Sequence, residues 1–488
     1  MFVPSRLQPA HFAVRFAVVA KYLGQIVAVV AALTAVPLLV SLALGRWETA
    51  AWYAGVIGAI LALALPAARL PASSHLQRNE ALVISALTFA LPPFALALPL
   101  TTYGLSYSDA VFEVISGVTT TGLSVVANVE SLPFPFHFAR AWLQWVGGLG
   151  VVVLSVAFLL EPGTATRHLG FEKAEVDDVV GGMRAHARRV LAVYAAVTLA
   201  GIALLLATGL SPGDAVLHGL AAISTGGFSS YDQGLGALPA GARAAVSVLC
   251  LAGAIPFFLY YSASMRRWRT VLRDAQLRAL IIMVLMVAAA LFAFQWAANP
   301  AAPLRSLEIA ALAAISAQST AGFAVADFAE LDNASVGVLI GAMLVGGGLG
   351  STAGGIKLLR LLILLHFLHL LVLRCSVSAS AYVSARIGGR KLQDREIESA
   401  AAIALAYFGV AFASVIVFLA HDQPALPSIF EVASAVGTVG LSSGLTGPEM
   451  PAVLKATLCA GMLMGRVETI ALIVLLFPGT WIGRRYRT

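Results

Sequence analysis

Long apolar stretches constrain this chain more than any single motif. About 20 apolar residues are needed to cross the hydrocarbon core of a bilayer. The sequence has ten stretches of about that length or longer, near residues 22–44, 50–68, 80–100, 138–161, 185–209, 242–265, 277–298, 334–373, 396–420 and 450–477. Only 11% of the 488 residues are charged, whereas soluble domains have about 25%. These features predict an all-α polytopic membrane protein.

Four shorter apolar segments lie between alternate pairs of these spans, at 108–118, 212–223, 304–318 and 427–436. A helix of about ten residues rises about 15 Å, which is half of the hydrocarbon core. We therefore interpret the four segments as re-entrant half-helices, each between two spanning helices. The predicted organisation is two leading transmembrane helices in 1–70, then four pseudo-symmetric helix–pore loop–helix repeats around a central pore, at 71–165, 166–270, 271–375 and 376–488.

Basic residues predict how the chain is oriented. They cluster after alternate spans, in loops that contain Arg167 and Arg189, Arg266 and Arg278, Arg374 and Arg395, and at the end of the chain. All of these loops fall on one side of the membrane if the four half-helices enter from the other side. Because loops rich in Lys and Arg stay in the cytoplasm, the half-helices are expected to enter from outside. In a soluble chain the net charge of +7 would suggest nucleic-acid binding, but here it reflects topology.

A short Thr/Gly sequence follows each half-helix. The four sequences are Thr119-Thr120-Thr121-Gly122, Ser224-Thr225-Gly226-Gly227, Ser319-Thr320-Ala321-Gly322 and Gly437-Thr438-Val439-Gly440. In each of them a leucine or phenylalanine follows the last glycine. Self-similarity at a roughly constant spacing is typical of a repeat architecture.

The four copies also agree upstream of the last glycine. Ten residues before it is a bulky apolar residue (Phe112, Leu217, Leu312 and Phe430), and six before it is a small one (Ser116, Ala221, Ser316 and Ser434). Nine residues before it, three copies have a hydrogen-bonding side chain (Glu113, His218 and Glu431), while the third copy has Ala313. The predicted pore is therefore not chemically four-fold.

These residue types suit a potassium filter, which replaces the hydration shell of the ion with rings of backbone carbonyls. Glycine reaches the required backbone angles at low cost, and threonine has a stiff side chain that can brace the strand. The partially negative C-terminal end of each half-helix favours a cation. The alternative is that these are small-residue motifs for helix packing, which require neither the threonine nor the half-helix.

A glycine-rich tract interrupts the long apolar stretch of the third repeat. Its predicted gating residues are Gly346, Gly347, Gly348, Gly350, Ser351, Thr352, Ala353, Gly354 and Gly355. Each glycine costs up to about 1 kcal/mol in a helix interior, so the helix is expected to break within the membrane. The freed backbone groups then need protein or water partners, which implies a cavity. Close helix packing is the alternative explanation.

Two further residues interrupt apolar spans. Arg466 lies within the last stretch, where a charge usually faces a partner or a water-filled cavity. It could act as an electrostatic barrier below the loops, or it could form an ion pair, for example with Glu468. Pro256 lies in the second span of the second repeat and predicts a kink there.

Four motifs together resemble the Trk/Ktr/HKT superfamily of potassium transporters, and in particular its TrkH branch. They are Ser108-Asp109-Ala110-Val111-Phe112-Glu113, Gln144-Trp145-Val146-Gly147-Gly148-Leu149-Gly150, Gly350-Ser351-Thr352-Ala353-Gly354-Gly355-Ile356-Lys357 and Gly465-Arg466-Val467-Glu468. The two leading spans are also a feature of that branch. The resemblance extends over nearly the whole chain.

The resemblance implies potassium uptake across the bacterial inner membrane by a multi-pass homodimer embedded in lipid. It also implies that the glycine-rich tract is a mobile gate, that Arg466 is a barrier, and that a cytoplasmic TrkA-like nucleotide-binding subunit controls transport. Potassium is then the substrate, and neither an organic cofactor nor a nucleic-acid partner is expected. The sequence leaves open whether transport is passive or is symport with protons or sodium.

Three other functions were weighed. A sodium pathway on the same fold is disfavoured because plant relatives with sodium preference have serine where this chain has Gly122. A transporter of organic solutes would use broken helices and repeats, but it would need distinctive polar side chains at the membrane midplane. An intramembrane enzyme would need a catalytic pair or a His-Glu-x-x-His motif, which is absent from the sequence.

Overall fold

The computed structural model describes residues 13–73, 76–159, 179–298, 300–326, 328–376, 386–387, 390–467 and 469–482. Most of these residues are helical. Seven helices are each long and apolar enough to cross a membrane, and two bent helix pairs bring the number within the described ranges to as many as nine. The all-α polytopic fold is therefore confirmed, whereas the proposed repeat boundaries stay a prediction.

The two leading helices pack against each other along their length. They are α1 (Phe16–Ala43) and α2 (Trp47–Ala68). Their outer faces expose leucines such as Leu39 and Leu63, as expected of side chains that contact lipid. Their inner faces pack on the first repeat, where Ala31 and Val56 join a cluster with Val114 and Phe136.

The first two repeats have the expected order of helix, half-helix and helix. The first contains α3 (Arg78–Ala90), α4 (Pro92–Leu96), a 3-10 helix (Leu98–Tyr103), α5 (Tyr107–Val118) and α6 (Phe134–Leu159). The second contains α7 (Val179–Ala207), α8 (Pro212–Ile223), a 3-10 helix (Gly234–Ala237), α9 (Ala240–Ala254), α10 (Phe257–Ser264) and α11 (Trp268–Leu272).

The last two repeats follow the same order with more interruptions. The third contains α12 (Ala275–Ala298), α13 (Pro303–Gln318), a 3-10 helix (Phe328–Glu330), α14 (Asn333–Leu344) and α15 (Leu358–Ser376). The short antiparallel strands β1 (Arg386–Ile387) and β2 (Arg390–Lys391) pair before the fourth repeat's helices. Those helices are α16 (Asp394–Leu419), α17 (Ala425–Gly437), α18 (Ala452–Arg466), α19 (Thr469–Leu476) and α20 (Pro478–Trp481).

The four half-helices α5, α8, α13 and α17 lie within about three residues of their predicted positions. Two of them start with the same cap, in which the serine hydroxyl before the helix accepts a hydrogen bond from an aspartate N–H. The pairs are Ser106 with Asp109 and Ser211 with Asp214, and such caps satisfy backbone donors at a helix start. The sides of the half-helices are buried, as illustrated by Phe112 and Phe430. The half-helices therefore form the centre of the protein.

Three of the long apolar stretches are broken rather than continuous. The predicted kink at Pro256 is a 94° bend between α9 and α10. The predicted break in the third repeat separates α14 from α15, and residues 345–357 form a non-helical loop between them. The predicted span over 450–477 is also bent, because α18 ends at Arg466 and α19 starts at Thr469 in a new direction.

Candidate cation pathway

All four half-helices end in the same backbone motif. A threonine within two residues of the helix end (Thr120, Thr225, Thr320 or Thr438) adopts a left-handed conformation with φ between 50° and 56°. Its N–H bonds to the carbonyl three residues back, and the next N–H bonds to the carbonyl five residues back, at 2.8–3.1 Å throughout. This is the Schellman arrangement, in which glycine usually takes the left-handed position.

Threonine in this conformation is strained, because a β-branched side chain crowds the backbone at positive φ. A residue in this region typically costs about 1–3 kcal/mol and persists only where its surroundings impose it. The sequence argument assigned the unusual backbone angles to glycine alone. The structure places them on the threonine as well, in all four copies.

The handedness of the backbone alternates along each Thr-Gly loop, the name used here for residues 119–122, 224–227, 319–322 and 437–440. The threonine and the last glycine have positive φ, with Gly122, Gly227, Gly322 and Gly440 between 68° and 102°, and the residue between them does not. Such alternation turns successive peptide groups toward the same side of the strand and creates a concave polar surface.

The four loops form a closed ring. A side chain added at the last glycine of each loop would collide with the carbonyl oxygen of the middle residue in the next loop. Gly122 faces Gly226, Gly227 faces Ala321, Gly322 faces Val439, and Gly440 faces Thr121. The loops therefore contact one another in chain order, and the fourth loop closes the ring on the first. This closure places Gly440 against Thr121, more than 300 residues away in the chain. Glycine is therefore required for close approach between loops as well as for its backbone angle.

The polar residue nine positions before the last glycine holds the chain that leaves each loop. Glu113 accepts hydrogen bonds from the Ser124 hydroxyl and the Val125 N–H, both at 2.7 Å. At the matching distance along the chain, His218 contacts the Ser229 hydroxyl. Glu431 likewise accepts hydrogen bonds from the N–H and the hydroxyl of Ser443, both at 2.7 Å.

The third copy has Ala313 and uses a different support. There the carbonyl of Ala324 accepts a hydrogen bond of 2.9 Å from the Leu235 N–H, which belongs to the second repeat. The predicted departure from four-fold chemistry therefore has a structural counterpart. In the third copy, the Leu235 N–H of the second repeat holds the chain that leaves the loop, which a side chain holds in the other copies.

The small residue six positions before the last glycine also contributes hydrogen bonds. The hydroxyls of Ser116 and Ser434 accept hydrogen bonds from the N–H groups of Gly122 and Gly440, at 3.1 and 2.9 Å. The Ser316 hydroxyl instead donates to the Phe323 carbonyl at 2.8 Å. These serine side chains fasten the first, third and fourth loops to their own half-helices, whereas the second copy has Ala221.

Gln144 supports the second loop and was not recognised as a site residue in the sequence argument. Its amide N–H donates to the carbonyl of Gly226, and its amide oxygen accepts a hydrogen bond of 3.2 Å from the Phe228 N–H. The signal was available, because a buried glutamine within an apolar span needs polar partners. The sequence does not, however, indicate which loop it contacts.

The non-helical loop of residues 345–357, here called the glycine-rich loop, contacts three of the four threonines. The Gly354 N–H donates to the Thr320 hydroxyl at 2.8 Å, and the hydroxyls of Thr225 and Thr352 lie 3.3 Å apart. Gly354 also lies against the Thr438 hydroxyl, leaving no space for a side chain. Ser351, Thr352 and Ala353 are fully buried. The loop therefore lies directly against the half-helix ends of the ring.

Among the described residues, two threonine hydroxyls of the ring have no hydrogen-bond partner. These are Thr120 and Thr438, in the first and fourth loops, and both are fully buried. A buried hydroxyl without a partner is costly unless it serves a ligand or a water. Hydroxyl oxygens are good ligands for hard cations, so the chemistry of both groups is compatible with a cation.

Arg466 contacts the glycine-rich loop. Its side chain is 3% exposed and donates hydrogen bonds to the carbonyls of Thr352 and Gly147. The suggested ion-pair partner Glu468 lies outside the described residues. The contact with Thr352 links the end of α18 to the loop.

Lys357 differs from the expectation from sequence. Because Lys357 and Arg360 follow the break in the third repeat, their side chains are expected either to reach the membrane surface or to contact a regulatory subunit. Lys357 is instead only 6% exposed. Its ammonium donates to the Ala353 carbonyl, one turn back in the same loop. A cavity of about 40 Å³ beside the loop is lined by Lys357, Arg360, Tyr407 and Arg466, among others.

Three acidic residues lie near the half-helix starts, where such residues either attract cations to a pore mouth or complement the helix dipole. Asp109 lies in the first turn of α5, where its carboxylate accepts a hydrogen bond from the capping Ser106, and it also binds the ammonium of Lys455 at 2.6 Å. Asp214 lies in the first turn of α8 and accepts a hydrogen bond of 3.0 Å from the Tyr231 hydroxyl, and burial together with this bond raises the pKa of Tyr231. Glu308 pairs with Arg243. Their structural partners favour the helix-dipole and pairing roles.

Re-entrant half-helices, a closed ring of four loops and a broken helix against that ring are together typical of membrane proteins that conduct or transport cations. The chain belongs to the TrkH family, described as cation transport proteins, which it matches over residues 72–478. It is accordingly a multi-pass protein of the inner (plasma) membrane and a transporter rather than an enzyme.

Several relatives are similar over nearly their full length. The Trk system potassium uptake protein TrkI of Halomonas elongata is 30% identical, and the alignment covers 96% of this chain and 97% of that protein. TrkH of the same organism is 29% identical over 91% and 95% of the two chains. The crystal structure of the potassium transporter TrkH from Vibrio parahaemolyticus superposes with a TM-score of 0.86 at 25% identity, covering 96% of this chain and all of that one.

Proposed function

We propose that this protein takes up potassium through a selectivity filter formed by the four Thr-Gly loops. The observation that carries the proposal is the ring itself, in which each last glycine abuts a carbonyl of the next loop. Carbonyl rings of this kind replace the hydration shell of potassium. The name "potassium uptake protein", printed for relatives of about 30% identity, supports the same ion.

The chemistry of the ring favours a bare cation over an organic solute. The loops contain no charged side chain and offer backbone carbonyls and hydroxyls. Four helix C-termini converge on the ring, and each has a partial negative charge. An organic solute would require side chains matched to its own polar groups. Glycine at position 122 supports potassium over sodium, as argued from the sequence.

We further propose that the glycine-rich loop is a gate and that the structure represents its closed form. The loop is buried against three of the four loops and is linked to Arg466 through the Thr352 carbonyl. In this proposal Arg466 has two functions, since it tethers the loop and also places a positive charge in the path of the ion. Movement of the loop would remove both obstacles.

Regulation by a cytoplasmic nucleotide-binding subunit of the TrkA type, assembly as a homodimer and contact with membrane lipid complete the proposal. The relatives are named as members of a Trk system, which supports a cooperating subunit. Exposed arginines after α10, including Arg266, Arg267 and Arg269, provide a basic surface on the side assigned to the cytoplasm.

The test is cation uptake by purified protein in liposomes, comparing potassium, rubidium and sodium for wild type and Gly122→Ser. We expect potassium and rubidium uptake well above sodium uptake, with the preference reduced by the substitution. If no uptake is seen, the assay is repeated on a variant in which residues 346–355 are shortened, to remove the gate. Equal sodium and potassium uptake would contradict the filter, and silence in both proteins would contradict the pore.

The same assay addresses coupling. Uptake that follows the potassium gradient alone and is unchanged when the proton and sodium gradients are collapsed would identify a passive pathway. Uptake that requires one of those gradients would identify symport.

A further inference from the structure

We propose that Arg140 is a positioning residue for ion selectivity, because it connects the outer ends of the first and second Thr-Gly loops. The inference rests on the filter function proposed above and assigns part of its rigidity to one side chain. Arg140 lies on α6, and its side chain is 2% exposed. It lies outside the four loops and took no part in the sequence argument.

The first connection is an ion pair. The Arg140 Nε lies 2.9 Å from a carboxylate oxygen of Glu113, whose side chain is fully buried. The other carboxylate oxygen of Glu113 accepts the two hydrogen bonds from Ser124 and Val125. Because these residues directly follow Gly122 and Leu123, the position of Arg140 determines where the first loop ends.

The second connection is a stacking contact. The guanidinium carbon of Arg140 lies 3.8 Å from the centre of the Phe228 ring, and Phe228 directly follows the last glycine of the second loop. Arginine has a flat, delocalised cation that can pair with a carboxylate and stack on a ring at the same time. Gln144 lies one helical turn further along α6 and holds the Phe228 N–H. The same face of α6 therefore fixes both the ring and the backbone of Phe228.

The charge of Arg140 is balanced by Glu113, so the pair adds no net charge near a cation pathway. Buried ion pairs often contribute no more to stability than apolar packing, and in some proteins they define a unique geometry instead. A selectivity filter requires such geometry, since its carbonyls must stay at a defined spacing from the ion.

The other copies make the arrangement specific to the first and second loops. Glu431, the counterpart of Glu113, accepts hydrogen bonds from Ser442, Ser443 and Thr446. No ion pair to Glu431 occurs in the part of the chain that the structure describes. His218, the second counterpart, stacks on Phe323 at 6.2 Å between ring centres. Only the first copy combines a carboxylate, a guanidinium and the neighbouring loop's ring.

The test uses two substitutions that keep the fold's charge balance. Arg140→Lys preserves the positive charge beside Glu113, but an ammonium cannot pair with a carboxylate and cover a ring as a guanidinium does. Phe228→Leu introduces the residue type that the first and fourth loops have at this position, as Leu123 and Leu441. The readouts are the ratio of potassium to sodium uptake in liposomes and the thermal unfolding temperature in detergent.

We expect both variants to fold, and each to lower the uptake ratio by about tenfold. The double variant Arg140→Lys/Phe228→Leu should lose little more than either single variant, because both remove the same connection. The control is the double variant Arg140→Lys/Phe323→Leu, in which the second substitution removes an aromatic ring that does not contact Arg140. In that control the two effects should add.

If Arg140→Lys leaves the ratio at the wild-type value, Arg140 is a charge partner of Glu113 only and the proposal is wrong. Additive losses in Arg140→Lys/Phe228→Leu would also contradict it. Should Arg140→Lys fail to fold, the ratio of Phe228→Leu alone decides, with an unchanged ratio overturning the proposal. Wild-type protein that does not distinguish potassium from sodium would instead overturn the filter on which the inference depends, and that outcome is visible before any variant is measured.

Discussion

Four threonines hold a backbone conformation that usually belongs to glycine. Thr120, Thr225, Thr320 and Thr438 all have φ near 50°, and each faces the centre of the protein with no exposed surface. A glycine would relieve the strain but would also remove a hydroxyl from the ring. Because the strain recurs in four different sequence contexts, we infer that the threonine hydroxyl contributes more to the site than the strained backbone costs in stability.

At the residue scale, the first prediction concerns close approach in the ring. Gly122→Ala places a methyl group against the Gly226 carbonyl, so we expect potassium uptake to fall and its preference over sodium to be reduced, as for Gly122→Ser. The matched control is Gly104→Ala, because Gly104 has a similar φ of 87° but nothing within 4 Å of the added carbon. Both substitutions impose backbone strain of about 1–2 kcal/mol, but only Gly122→Ala also adds a collision. A difference in uptake into liposomes between the two variants therefore reports the collision. Equal uptake in the two variants would contradict a close-packed ring.

The second residue-scale prediction concerns Arg466. Arg466→Gln removes a charge-assisted hydrogen bond to the Thr352 carbonyl, of a kind worth about 1.5–3 kcal/mol. If Arg466 tethers a closed gate, the ratio of open to closed protein should rise by about 10- to 100-fold, and basal cation flux should increase in the absence of any partner. The measurement is flux into liposomes.

A control for this experiment is Arg243→Gln, which also removes one positive charge. Arg243 pairs with Glu308, and its hydrogen bonds in the described part of the chain go to Leu238 and Glu308, so basal flux should not change. Reduced flux in Arg466→Gln would indicate that the arginine supports the open pathway rather than the closed one.

At the scale of elements, broken helices place the glycine-rich loop. The α14 helix ends at Leu344, and α15 starts at Leu358. The Val345 carbonyl is held by the Gln318 amide at 2.8 Å, and the Leu349 N–H is held by the Gln276 side chain at 2.7 Å. These bonds satisfy backbone groups that the break in the helix leaves free, which is a strict requirement at membrane depth.

The prediction at this scale uses the narrow space around Gly354. Gly354→Ala would place a methyl group against the Thr438 hydroxyl and the Gly437 carbonyl. We expect the loop to be displaced from the ring and basal cation flux to rise. Gly341→Ala in α14 is the control, since nothing lies within 4 Å of its added carbon. Flux in Gly354→Ala that remains at or below the control value would show that the loop does not limit conduction.

At the scale of the whole molecule, the proposed orientation can be tested with the native cysteines. Cys375 is exposed at the end of α15, on the side assigned to the cytoplasm, whereas Cys250 is buried and Cys459 is half-buried. A thiol reagent that does not cross membranes should label Cys375 in inside-out vesicles and not in intact cells. The variant Cys375→Ser is the control and should remove the labelling. Labelling of Cys375 from outside would reverse the proposed topology.

The sequence alone determined the arrangement of spans, the four half-helices and the positions of two of the helix breaks. Each of these depends on a local property, namely the length of an apolar stretch, a proline or a run of glycines. The bounds of α5 and α8 differ from their predicted bounds by one residue or less, because hydropathy and turn residues mark both ends. The break after Arg466 was missed, since no proline or glycine follows it.

Only the tertiary structure decided which groups meet across the ring. The order of the loops, the Arg140–Glu113 ion pair, the contact of Gln144 with Gly226, and the contact of Arg466 with a carbonyl all join residues far apart in the chain. Lys357 is buried rather than at the membrane surface for the same reason, since its partner is a carbonyl freed by the broken helix. A sequence specifies which polar groups enter the membrane, but the requirement that each finds a partner is met only once the helices have packed.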